Sequence, residues 1–189
     1  MLCMKIMGGS MNYNNSLTAE GLVEYVQKCR FSPHIYVWDA NGQFLTNEVL
    51  DDLISRNKDW YTEQRIAIRR TLCDRNIRGW DCIGLIKSYV WHDYSQYNSD
   101  YYTVESDFCT RTLIEQDIEK GDIASLPEVP GQVLWKKGHV GIYIGKNQVI
   151  ECTLRNTYTG EFDLIGGIIK SNLSDTAWTT WLKYPGIKY

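Results

Sequence analysis

Three residues well separated in the chain, Cys82, His139 and Glu151, are of the types that together perform acyl transfer: a sulfur nucleophile, an imidazole base and an acid that orients the base. A thiol attacks well only as the thiolate, so its surroundings decide whether it is chemistry or packing. In the segment Gly79-Trp80-Asp81-Cys82-Ile83-Gly84-Leu85-Ile86, a helix opening at Cys82 would carry Leu85, Ile86, Tyr89 and Val90 on the same side. The positive end of that helix would lower the thiol pKa, and its N–H groups would form part of an oxyanion hole. Taken alone, this segment reads better as a small buried cysteine.

The segment Lys136-Lys137-Gly138-His139-Val140-Gly141-Ile142-Tyr143-Ile144-Gly145 shifts the balance. Period-two alternation makes it a strand that begins at His139, and Gly141 on the same face leaves room for another element to approach. Glu151 is the one charge in the apolar run Val149–Thr153, where a carboxylate costs energy unless it is paired. His139 is the available partner. Their separation is even, so they share a face if the turn holds an odd number of residues; three at 146–148 would pair Gly145 with Val149 and set Tyr143 opposite Glu151. Cys152 then points to the opposite face, away from the site.

The elements that must hold these residues are legible as well. Thr18 caps a helix carrying Leu22, Val23, Val26 and Cys29 that ends near Arg30, and Pro33 breaks it. Two further helical patterns lie within about 43–76, one behind Thr46 with Val49, Leu50, Leu53 and Ile54, the other from about Thr62 to Cys73. After Gly121 the period becomes two, with further strands around 162–169 and 178–184, so helices followed by an antiparallel sheet give an α+β class. Residues 92–107 read as a polar and aromatic surface loop, in which Tyr94, Tyr97, Tyr101 and Tyr102 could meet a ligand or cover the core.

Composition bounds the function. The 189 residues are enough for one domain, and 43% hydrophobic with 23% charged residues is ordinary for a globular protein. A formal charge of −3 without a dense basic run excludes the footprint of a nucleic-acid binder. No segment reaches the roughly 20 apolar residues needed to span a bilayer. Residues 1–12, which hold all four methionines, read as a disordered leader before a domain at 13–189, without the pattern of a secretory signal. Six cysteines are too sparse for a disulfide scaffold, so mostly free thiols are expected, and no C-x-x-C or H-x-x-x-H pattern suggests a metal. His92 suits the end of the Cys82 helix, where a cation meets the dipole, and Cys73 and Cys109 suit packing.

Asp81-Cys82-Ile83-Gly84-Leu85 resembles the D-C-S-G-L motif of NlpC-type papain-like cysteine peptidases, and Gly138-His139-Val140-Gly141-Ile142-Tyr143-Ile144-Gly145 resembles their G-H-V-G-I-Y-I-G strand. The likeness covers residues 17–184 and is specific only in these two motifs. It implies a papain-like fold with N-terminal helices on a central antiparallel sheet, and a catalytic Cys82, His139 and third residue Glu151. Pro33-His34-Ile35-Tyr36 is similar to the family's P-Y-x-W/Y segment, with His34 in the place of the substrate-lining tyrosine. His34, Tyr36, Asp81 and Tyr143 are therefore the expected substrate contacts. Ile83 departs from the usual serine, and the acid at 151 with the helical insertion resembles the clostridial and phage lysin branch.

The resemblance implies hydrolysis of an amide bond in peptidoglycan, within the stem peptide or between muramic acid and L-alanine, with no cofactor. The protein would be made in the cytoplasm and reach the wall after phage lysis or by non-classical export. Two other readings fit the same residues: an amide hydrolase, deamidase or transferase acting on protein, and an inactive binding module of the same fold.

Overall fold

The computed structural model describes residues 17–92, 100–155 and 162–189. The proposed leader and Tyr94 and Tyr97 lie outside them. Helix α1, Ala19–Arg30, starts where Thr18 accepts the Gly21 N–H at 3.0 Å, and its buried stripe Leu22, Val26 and Cys29 faces the core. Helices α2, Asn47–Arg56, and α3, Glu63–Arg70, are capped the same way by Thr46 and Thr62. Helix α4, Gly84–Val90, is fastened to α1 by a Tyr25 hydroxyl donating to Ser88 at 2.9 Å and a Tyr89 hydroxyl donating to the Thr18 carbonyl at 3.0 Å. A short α5, Thr110–Ile114, follows.

Strands β1 (His34–Tyr36), β2 (Asn41–Phe44) and β3 (Arg78–Trp80) form a small sheet in the order β1-β3-β2, with β1 and β3 parallel. The sequence reading had not foreseen this sheet, whose three- and four-residue strands are too short to show a period. The main sheet is antiparallel, in the order β4-β9-β5-β6-β7-β8: Lys120–Asp122, Thr180–Leu182, Val133–Lys136, His139–Gly145, Gln148–Arg155 and Phe162–Asn172. The α+β class holds.

One face of the main sheet, with Val140, Ile142, Ile150, Cys152 and Ile168, joins Leu22, Val26, Leu85 and Ile86 in the largest core. Burying each such aliphatic side chain stabilises the fold by about 1.5–3 kcal/mol. The other face carries Leu134, Tyr143, Val149, Trp178 and Trp181. A third cluster, Ile35, Val37, Leu50, Leu53 and Tyr61, joins α2 and the small sheet.

The β6–β7 hairpin departs from the expected three-residue turn in an instructive way. Lys146 and Asn147, with φ of 53° and 58°, make a two-residue turn of the primed kind, and Gly145 faces Gln148. Continued unchanged, that register would set Glu151 opposite Ile142, on the face away from His139. The register instead slips by one residue between Tyr143 and Gly145, so that Tyr143 faces Val149 and Ile142 faces Ile150. Tyr143 thus lies opposite Val149, not Glu151, while His139 and Glu151 still share a face. Deleting the bulged Ile144 would leave the same pairs in a regular ladder, so it is expected to keep His139 and Glu151 on one face and to cost only the packing of one half-buried side chain, about 1–2 kcal/mol in denaturant unfolding.

Candidate active site

His139 Nε2 lies 2.6 Å from Glu151 Oε2, and the imidazole stacks on Trp178 at 5.4 Å between centroids and 15° between planes. Glu151 is 1% exposed and also accepts from Arg155 Nη2 at 2.7 Å and Ser171 Oγ at 2.6 Å. Burial alone would push its carboxyl up, but hydrogen bonds from His139 and Ser171, with the charges of His139 and Arg155, outweigh it and hold the pKa below the ordinary value. An ionised Glu151 requires the proton of His139 on Nε2. In the neutral ring Nδ1 would then carry the lone pair, and no described residue hydrogen-bonds to it.

Cys82 sits on the turn between β3 and α4, 5% exposed. The pairing of β6 with β7 ends at Ile142 and Ile150, and the β3–α4 junction comes against both strands beyond that point. There the Cys152 thiol donates to the Trp80 carbonyl at 3.2 Å, and the Val140 N–H is directed at the Cys82 sulfur. The thiol is thus held one residue along the strand from His139, and no hydrogen bond joins it to the imidazole among the described residues.

The thiol is not acidified as the helix argument expected. Helix α4 starts two residues later, at Gly84, and burial, followed by the Asp81 charge, pushes the Cys82 pKa up to about 12. Backbone N–H groups of Val140, Ile83 and Cys82 pull the other way without prevailing. At rest Cys82 is a neutral thiol, and a nearby base is needed to make it a nucleophile.

Asp81, expected to touch substrate, is buried and structural: Oδ1 accepts the Gly84 N–H at 2.6 Å and Oδ2 the Asp39 N–H at 3.0 Å, tying α4 to the loop after β1. Burial pushes its pKa up to about 6 against the opposing charge of Lys87. Asp81→Asn is expected to lower the Cys82 pKa by removing the neighbouring negative charge, which the pH dependence of alkylation would read. It should also cost about 1–3 kcal/mol, because the Asp39 N–H loses its acceptor.

Tyr143, another expected contact, is fully buried; its hydroxyl donates to Glu128 at 2.6 Å and accepts from the Asn147 N–H at 3.3 Å. It secures the hairpin turn. Tyr143→Phe is expected to cost about 0.5–1.5 kcal/mol in unfolding and to leave the chemistry at Cys82 unchanged.

His34 is turned to the Ser32 carbonyl, 2.7 Å from Nδ1, and lies over Gly167, where a Cβ would meet its ring at 2.8 Å. Tyr36 is the residue of that segment near the thiol. Burial first, then the charges of Cys82, Asp81 and Cys152, push its hydroxyl well above the ordinary range. Cys152 alternates with Glu151 as expected, yet the face it occupies is where the β3–α4 junction packs, so it lies beside the site and not away from it.

The sequence reading missed Arg155, Ser171 and Trp178. Ser171 lies two residues along β8 from Ile169, the partner of Glu151, and therefore shares its face. The signal existed only if the strand was carried past Ile169. A cavity of about 530 Å³ opens beside the pair, lined by Lys136, His139, Glu151, Leu154, Arg155 and Thr176. Cys82 is not part of its wall.

Cys29, Cys73, Cys82 and Cys152 are buried and form no disulfide, and no group of three or more metal-ligating side chains occurs among the described residues. No helix among them is long and apolar enough to cross a membrane. No family model matches the chain, and neither a curated protein nor a solved structure matches it.

Proposed function

We propose that the protein is an NlpC-type cysteine hydrolase of papain-like fold that cleaves an amide bond in peptidoglycan. The observation that carries the reading is the 2.6 Å hydrogen bond between His139 and Glu151, which leaves Nδ1 unengaged at a strand whose next residue directs its N–H at the Cys82 sulfur. The two motifs that resemble that family carry the three residues of this reading.

In this mechanism Nδ1 takes the thiol proton as the sulfur attacks the amide carbonyl, and Glu151 holds the imidazolium through Nε2–H. The N–H groups of Cys82 and Ile83, which point toward the sulfur, would serve as donors to the developing oxyanion. Collapse of the tetrahedral species breaks the C–N bond, and the imidazolium gives its proton to the leaving amine. Water, deprotonated by the same nitrogen, then hydrolyses the thioester and restores the thiol. A neutral resting thiol makes the imidazole a general base, so the site does not need a standing thiolate–imidazolium pair.

The burial of Cys82 and its high pKa favour a second reading, an inactive binding module of the same fold. Digesting purified muropeptides and identifying the products by mass spectrometry tests both. New amine and carboxyl termini at one bond are expected. Unchanged muropeptides, with hydrolysis of a protein amide instead, would move the substrate class; no hydrolysis of either would leave the binding module.

A further inference from the structure

At the opposite end of the β6–β7 hairpin from His139, a cavity of about 450 Å³ lies between the C-terminal end of α1, the hairpin turn and the segment before β5. Arg30, Lys146 and Lys170 stand on its wall with the apolar residues Phe31, Pro130 and Ile144. Arg30 is half-buried, and its Nε is shielded from solvent without a hydrogen-bond partner. The Phe31 ring lies 4.5 Å from its guanidinium carbon. Lys146 and Lys170 are exposed and their ammonium groups make no ion pair among the described residues.

A buried donor without an acceptor costs on the order of 1–3 kcal/mol, more when it belongs to a cation, so a turn of the Arg30 guanidinium on the cavity wall that brings this N–H onto an anionic oxygen would be stabilising. The carboxylate on the same wall does not meet this need. Glu128 is committed to the Tyr143 hydroxyl at 2.6 Å and the Lys146 N–H at 2.9 Å. The three cations therefore exceed the opposing charge by two, which suits a dianionic phosphate with an apolar neighbour better than a single carboxylate. Phe31, 78% exposed, is the surface such an apolar portion would cover.

We propose that this cavity is a binding site for a phosphate group, gripped by the Arg30 guanidinium and flanked by Lys146 and Lys170, with the Phe31 ring against the organic part of the ligand. The site is separate from Cys82 and does not depend on its chemistry. In a wall-directed enzyme it would supply a point of attachment to a phosphate-bearing polymer.

The test is a titration of the whole chain with sodium phosphate and, separately, with a glycerol phosphodiester at constant ionic strength, following the Arg30 Nε–H resonance by NMR. A saturable shift with either probe is expected, and the tighter of the two identifies a monoester or a diester source. Arg30→Gln should weaken binding at least about tenfold, measured then on the hairpin amides. Lys170→Gln, at an exposed position, should weaken it by a smaller factor while the fold is unchanged. Shifts that fail to saturate, that sodium acetate or chloride reproduces, or that survive both substitutions would overturn the site.

Discussion

Replacing Cys82 by alanine is expected to reduce amide hydrolysis to background, a loss on the order of 10⁴-fold or more, because no covalent intermediate can form. The same change should cost only about 1 kcal/mol in unfolding. The side chain is small, and the N–H groups around it keep their backbone geometry. Liquid chromatography of the muropeptide products gives the rate, and denaturant unfolding gives the stability. Hydrolysis that persists in Cys82→Ala would remove the nucleophile from the account.

Glu151→Gln carries the second large effect and acts on two observables. The amide can still accept from one donor, but it loses the charge that holds the imidazolium, and its NH₂ faces groups that are themselves donors. A fall of about 10²–10⁴-fold in kcat follows, with about 2 kcal/mol of stability, part of it discounted because Arg155 is partly exposed. His139→Ala should match Cys82→Ala in rate.

The pH dependence of unfolding separates the two buried carboxylates. Glu151 has its folded pKa below the ordinary glutamate value of 4.5, so its contribution is present above that pH and is lost as pH falls through the folded value. Asp81 has its folded pKa raised from 3.8 to about 6, so its contribution is present below pH 4 and is lost as pH rises to about 6. Glu151→Gln should therefore flatten the acid limb of the stability curve, while Asp81→Asn should remove the decline between about pH 4 and 6.

Much of this architecture was legible because it rests on local rules. Thr18, Thr46 and Thr62 announce three helices by their side-chain oxygens, and the apolar spacing behind them completes the pattern. The shared face of His139 and Glu151 also followed from parity, although by a route the structure does not take. A two-residue turn and a bulge at Ile144 give the same parity as a three-residue turn, and sequence spacing cannot distinguish them.

What was not legible depends on contacts between distant segments. Tyr143 looked like a site residue because a three-residue turn would set it opposite Glu151, but its hydroxyl bonds Glu128, a partner contributed by a loop. The thiol pKa was misjudged because a helix dipole is visible in sequence while burial against β6 and the charge of Asp81 are not. Ser171, Arg155 and Trp178 converge on the pair from three places, and pairing of β7 with β8 had to be known before Ser171 could be placed.

The most direct measurement follows carbamidomethylation of Cys82 by iodoacetamide against pH, read by peptide mass spectrometry, in the wild-type chain and in His139→Ala. General-base assistance predicts that Cys82 reacts ahead of Cys29, Cys73 and Cys152, with a rate that levels off well below pH 12 in the wild type and loses this plateau in His139→Ala. Identical profiles in the two proteins, both climbing toward pH 12, would mean that the imidazole does not serve the sulfur.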